Sequence, residues 1–567
     1  KAYRLMALAT AAKFNGQTDK AISYSKQAMK LLHSHPYPDI LIGSIQLNQK
    51  NYGLAKQHFQ SARQKSPTNY FAHINEAAAA WFSENYEEAD KLYSRALELE
   101  PAFCEARVGK SMLYEQRNLL EQASAILKPC ADSALATDDI RLRLAILALK
   151  LNNYDSAIEY ASAIDNQSED SPAILIVIRA SLAGGRYDTS ADALKKLNQN
   201  SSTFHFWNAI HLIHLNKLDS ALNNLNELPQ EGSRLLQNML SIAMNGKLDE
   251  NELSDMQKTL PSAFNSFINA CLLAEQGRYT TAAGQLHNSS QFMPGFYTKG
   301  INANILEKSS KPQSFRYLPL GLFLSMIDFP NGALVAYQNS IRIDEDSLLP
   351  NYFAAVVQAR LGDRESTIQS LLHSLENAPG FFPANYLLAE QYVSQGDLKN
   401  ASRYYQAAAD TYPEASVLIK LGILHERLNM PGKAAGYYQQ FIDNYPNNYI
   451  GYNQLAWLLA RQGLELPKAL KLATKANEML PDNAGINDTL GWIHFQQRNY
   501  TEAAKFLKHA NSISQGENPD ILFHLGATLV KLGEQKKGKT LIQRALKTPS
   551  YFQGRQEATQ FLATLKE

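Results

Sequence analysis

His211 and His214 stand three residues apart and could meet on one helix face, the only such pairing among the thirteen histidines weighed as a metal site. No third ligand lies near them in the sequence, so a core or surface role is favoured over metal binding. The zinc-protease HExxH and the GxSxG elbow do not occur. Acidic pairs abound, but on solvated helix faces they signify little. No catalytic residue, metal site or cofactor site is assigned. Chemistry suited to binding is richer in the C-terminal half. There Arg360, Arg427 and Arg461 supply guanidinium forks for carboxylates. Trp457 and Trp492 supply indoles of the kind that anchor interfaces. Tyr352, Tyr386, Asn453, Asp488 and Gln496 add hydroxyl, amide and carboxylate groups.

The elements that carry these residues are set by a periodic beat. A small residue recurs at Ala21, Ala55, Ala89, Ala123 and Ala157, each 34 after the last. The beat returns at Ala333, Thr367 and Ala401, slips by one to Ala434 and Ala469, and resumes at Ala503. A period of this length signals a solenoid of helical hairpins. In one unit, Asn69 to Ser83 is expected as helix A and Tyr86 to Glu100 as helix B. Ala89, Tyr93 and Ala96 form an i, i+4, i+7 stripe on helix B, and Pro101 ends it. The small-x3-large-x2-small-x4-Pro signature recurs, for example as Ala282, Leu286, Ser289 and Pro294. Glycine marks the A–B turn at Gly16, Gly277, Gly362, Gly396, Gly463 and Gly533, where a left-handed residue ends helix A. Gly422, Gly491 and Gly526, each after a leucine, are expected to admit the adjacent helix.

About sixteen units are expected. Those anchored at Ser190 and Ala221 are weaker, and the chain is degenerate around 246–262. From Ala282 to Ala333 the spacing is 51, one period plus 17. The surplus holds Ser309, Ser310, Lys311 and Pro312, a helix-breaking stretch. The expected organisation is therefore an N-terminal array over 1–308, a seam at 309–313, and a C-terminal array over 314–567 closed by a short helix from Gln556 to Lys566. The seam is read either as a rigid extra helix or as a hinge.

The formal net charge is +1, which argues against non-specific binding to nucleic acid or an anionic membrane. The apolar run Leu318 to Ile327 is too short to span a bilayer. No signal peptide is visible, and the first residues already read as a repeat helix. The chain is thus expected to be part of a longer protein, with any leader or lipid anchor upstream. Cys104, Cys130 and Cys271 include no CxxC. Cys130 takes the slot of Ala62 and Ala96, which suggests small buried filler. A Cys104–Cys130 disulfide is the alternative, since both belong to one repeat. So few cysteines suit the cytosol or the periplasm. The Lys531, Lys536, Lys537, Lys539 cluster reads as a solvated cap, with anion binding as the alternative.

These residues resemble the tetratricopeptide repeat (TPR) superfamily over nearly the whole chain. The resemblance implies an all-α fold, a right-handed TPR superhelical solenoid. The ending is more particular: Leu455-Ala456-Trp457, Lys468-Ala469-Leu470, Leu480-Pro481-Asp482 and Asp488-Thr489-Leu490-Gly491-Trp492. It resembles bacterial TPR lipoproteins of exopolysaccharide and PEP-CTERM (exosortase) systems. That resemblance implies a periplasmic scaffold, anchored at the outer membrane, for polysaccharide assembly or export; a cytoplasmic location is the alternative.

The TPR resemblance also implies a concave wall lined by helix A. With the turn glycine as position 15, positions 5, 9, 12 and 13 face inward. Position 13 gives Arg360, Arg427, Arg461, Gln496 and Lys531; position 9 gives Trp457 and Trp492; position 5 gives Tyr352, Tyr386, Asn453 and Asp488. The wall suits a peptide with acidic groups or an acidic sugar chain. The opposing reading is structural: the tryptophans pack between helices, and each arginine pairs with a carboxylate of the next repeat. In the N-terminal array the same positions are apolar or small, as at Ile74, Ala78, Trp81, Leu142 and Ile146. That wall is read as a hydrophobic docking face or as one closed by tighter coiling. The favoured function is a non-catalytic scaffold that binds a protein partner in the groove. The alternatives are a polysaccharide-binding guide and a regulatory part of a larger protein.

Overall fold

The computed structural model describes residues 1–131, 136–164, 171–227, 233–248, 250–289, 301–309, 311–548, 552 and 554–565. Among these residues there are thirty-four α-helices, one short 3-10 helix and no strand. Among the described residues, most helices pack on their sequence neighbour as hairpins. Pro294, Ser310 and Lys566, named in the expectations above, lie outside the described residues.

The beat residues explain the stacking. Ala21, Ala55, Ala89, Ala123, Ala157, Ala333, Thr367, Ala401, Ala434, Ala469 and Ala503 are all fully buried. A side chain no larger than threonine at the hairpin crossing lets two backbones approach closely. The expected unit appears as helices Tyr70–Phe82 and Tyr86–Leu99, capped by the side chains of Asn69 and Asn85. The turn glycines named from the sequence all have positive φ, between 66° and 91°. Repeats without glycine there use Asn118, Asn152, Asn216 or Asn429, or else Lys50, Glu84, Asp328 or Arg498, in the same left-handed conformation. Gly422 seats the ring of Tyr438, and Gly491 and Gly526 seat Leu507 and Ile542, so the missing side chains do admit helix B. The weak anchors Ser190 and Ala221 are also fully buried. The degenerate stretch still forms a helix, Glu250–Thr259.

Two compact units result. One comprises Lys1–Met244 with Leu322–Val335; the other comprises Asn245–Gly321 with Ala336–Glu567. The seam was expected at 309–313, of which Ser310 lies outside the described residues. Within the second unit, Ser309 ends the extra helix Ala303–Ser309, and Pro312 opens the 3-10 turn Pro312–Tyr317. Leu322–Val335 belongs to the first unit because of its partners. Asp328 pairs with Arg179 at 3.1 Å, Asn331 Nδ2 donates to the Ala183 carbonyl at 2.6 Å, and Phe329 meets Trp207 edge to face. Such long-range packing leaves no local trace in the sequence.

Cys104 and Cys130 are joined by a disulfide, with Cα atoms 5.7 Å apart. Cys130 is thus not merely small filler. It lies near the end of helix Leu120–Ala131, facing Cys104 at the start of the antiparallel helix Cys104–Gln116. Cys271 is a free, buried thiol whose pKa burial raises, with Glu275 adding to the shift. His211 and His214 are core residues. Ser190 Oγ lies 2.7 Å from His211, and His214 Nδ1 donates to the Ile210 carbonyl. No helix among the described residues is long and apolar enough to cross a membrane.

Candidate functional site

The groove of the second unit is built from helices Ala415–Arg427 and Tyr449–Gln462. Ile423, Glu426 and Arg427 line one side, and Gln454, Trp457 and Arg461 the other, around a volume of about 240 Å³. Spacings of three and four put each trio on one face of its helix. The opening is smaller than the cavities that engulf small-molecule ligands, roughly 300–1,000 Å³. A side chain of an extended ligand fits it better than a substrate does.

Its polar framework starts in the core. Gly422 leaves room for the Tyr438 ring. The Tyr438 hydroxyl then donates to Glu426 Oε1 at 2.5 Å. Burial first, and the Glu426 charge second, hold this phenol far above its usual pKa, so it stays a donor. The other carboxylate oxygen, Oε2, lies 3.4 Å from Arg461 Nη1. Arg461 is thereby oriented before any ligand arrives. Arg427 has neither a hydrogen-bond nor an ion-pair partner among the described residues, and it is exposed. Ile423 is 42% exposed and Trp457 half-buried, so the groove joins apolar surface to two cations and one carboxylate. A related arrangement lies one repeat earlier. There Glu390 receives both the Tyr405 hydroxyl and the Lys420 ammonium.

Of the sequence-named residues, Arg427, Trp457 and Arg461 come together here. Ile423 and Glu426 were missed although they occupy positions 9 and 12 of the same register. Gln454 sits one residue past position 5. The other candidates lie elsewhere. Tyr352, 1% exposed, packs edge to face on Phe381 and is core. Trp492, 6% exposed, is not on the wall either. It stacks on Phe495 and on His524, at 4.7 and 4.2 Å between ring centroids. Asp488 is buried, with Oδ1 2.8 Å from His524 Nδ1. Burial lowers the His524 pKa, but the Asp488 charge and hydrogen bond, with Asp520 and Glu557, outweigh it and raise the value. Helix Pro519–Lys531 thus covers a face that the register alone predicts to be open. Tyr386 is half-buried under the Lys420 ammonium, 5.3 Å from its ring centroid. Asn453 is half-buried, while Arg360 and Gln496 are exposed, and none of the three lines this groove.

Arg461 does pair with a carboxylate, as the structural reading expected, but with one from the preceding repeat. The lysine cluster is mainly exposed; Lys537 pairs with Glu534, and Lys531 lies over the Phe561 ring. In the first unit, helices Cys104–Gln116 and Asp138–Lys150 frame a groove of about 460 Å³. It includes Val108, Leu142 and Ile146, crossed by a Glu115–Arg143 ion pair. This groove is mixed in character.

Family models described as "Tetratricopeptide repeat" match residues 72–103, 142–203 and 386–449. A "TPR repeat-containing protein PA4667" of Pseudomonas aeruginosa is 25% identical over 172 residues, 30% of this chain and 29% of that protein. The match therefore spans less than a third of the relative's length. Among solved structures, YrrB, described as "a TPR protein with an unusual peptide-binding site", is 20% identical. It covers 35% of this chain and 98% of its own, with a TM-score of 0.30. The Cut9–Hcn1 hetero-tetramer of the APC/C is 12% identical, covering 100% of this chain and 96% of its own, with a TM-score of 0.33. The matched stretches are tetratricopeptide repeats, and the chain is an all-α tetratricopeptide-repeat solenoid.

Proposed function

We propose that this chain is a non-catalytic scaffold whose second unit binds an extended, acidic segment of a protein partner between Ile423 and Arg461. The observation that carries this reading is Arg427. It is an exposed guanidinium with no partner among the described residues, set beside a half-exposed indole and an oriented second arginine. A carboxylate of the partner completes Arg427, and an apolar side chain next to it covers Trp457 and Ile423. Screening panned peptides against the wild type and an Arg427→Glu/Arg461→Glu variant tests this. The reading requires enrichment of peptides that join acidic and apolar residues and that the variant does not hold. Peptides retained equally by both proteins would overturn it.

The resemblance of the C-terminal motifs supports a periplasmic role in exopolysaccharide assembly or export, as part of a synthesis or secretion complex. The Cys104–Cys130 disulfide favours an oxidising compartment for the same reason. A second reading, an acidic polysaccharide drawn along the groove, is favoured by Trp457 beside Gln454 and the arginines. The burial of Trp492 leaves it a single stacking platform, so the peptide reading is preferred.

A further inference from the structure

A separate constellation lies on another hairpin of the second unit. His373 and Glu376 are three apart on helix Arg364–Glu376, and so share a face. Asp346 belongs to the turn between helices Pro330–Ile343 and Leu348–Arg360. One ligand atom from each of the three residues lies within 4.8 Å of the other two. The carboxylates are exposed and the imidazole is half-buried. His373 Nδ1 stands 3.4 Å from Glu376 Oε1, off the line of a hydrogen bond. That nitrogen is itself shielded from solvent and has no hydrogen-bond partner. When protonated, this nitrogen pairs with Glu376; when the ring is neutral with its proton on Nε2, Nδ1 is a lone-pair donor beside two carboxylates, a set that suits a cation. Glu376 also borders a cleft of about 320 Å³ whose wall includes Leu372, Leu375, Pro379 and Tyr404.

We propose that Asp346, His373 and Glu376 form a binding site for a divalent transition-metal ion, with Zn²⁺ the best match. The imidazole nitrogen is a borderline donor that suits Zn²⁺, which also accepts the hard carboxylate oxygens, whereas Mg²⁺ and Ca²⁺ prefer oxygen throughout. Bonds of about 2.0–2.1 Å in a tetrahedral site put donors roughly 3.3 Å apart. Rotation of the two exposed carboxylates closes the remaining gap. The ion neutralises two negative charges and leaves one position for water. It also ties the turn ahead of Leu348–Arg360 to the last turn of Arg364–Glu376, so binding stabilises that hairpin.

Chelator-treated protein should be titrated with Zn²⁺ by calorimetry and with Co²⁺ by absorption, alongside His373→Ala and Asp346→Asn/Glu376→Gln. Circular dichroism establishes that the variants fold; the substitutions are at partly or fully exposed positions. The expected result is one ion per chain in the wild type, at least tenfold weaker binding in both variants, and a Zn²⁺-dependent rise in melting temperature confined to the wild type. Mg²⁺ should give no such rise. Absence of saturable Zn²⁺ binding overturns the site, as does binding of equal strength in the wild type and both variants.

Discussion

At the residue scale, Trp457 and Trp492 hold the same register position in successive repeats but have different surroundings. Trp492 is enclosed by Phe495, Phe523 and His524, whereas Trp457 reaches His524 on one side and the groove on the other. Trp492→Ala removes a core ring and is expected to cost about 3–5 kcal/mol of stability. Trp457→Ala, at a half-open site, is expected to cost less than half as much while weakening peptide binding. Urea unfolding of both variants checks this, and equal losses would contradict the assignment. The sequence revealed that both indoles lie on one helix stripe. It did not reveal which is covered, because that depends on His524, 32 residues beyond Trp492.

At the element scale, the hairpin was readable because its rules are local. Small residues mark the crossings, asparagine caps the helix starts, and left-handed residues mark the turns. The Cys104–Cys130 link was only half-readable: both residues fall in one repeat, but their facing positions depend on how helices Cys104–Gln116 and Leu120–Ala131 lie side by side. Closing a loop of 26 residues restrains the unfolded chain by about 3–4 kcal/mol on the chain-entropy account. Reduction, or a Cys104→Ala/Cys130→Ala variant, is therefore expected to raise hydrogen exchange across these two helices. Exchange unchanged by reductant in the wild type would show that the bond contributes nothing to local stability.

At the scale of the whole molecule, the two units should answer pH differently. In the first unit, burial lowers the pKa of His214 to about 4 and also depresses His211. Both are neutral in the folded state, while an unfolded histidine charges below about 6.5. Their stabilising effect is full above that value and is lost as pH falls toward about 4. In the second unit, His524 is raised by Asp488, so its contribution is present below the unfolded value and lost as pH rises through the folded one. His494, lowered by burial, acts in the opposite sense there. Hydrogen exchange at pH 7 and pH 5, corrected for intrinsic rates, should show protection falling in the first unit and changing little in the second. His214→Gln should flatten the first unit's response. A uniform change across both units would refute this.

The most direct test of the central claim is fluorescence anisotropy of one panned acidic peptide with the wild type and with Arg427→Glu, over a salt series. Arg427 is exposed and has no hydrogen-bond or ion-pair partner among the described residues, so the variant should melt like the wild type. The account predicts that wild-type binding weakens as salt rises and that the variant loses it by at least tenfold. Equal, salt-independent binding by both proteins would contradict it and move the partner's site away from this groove.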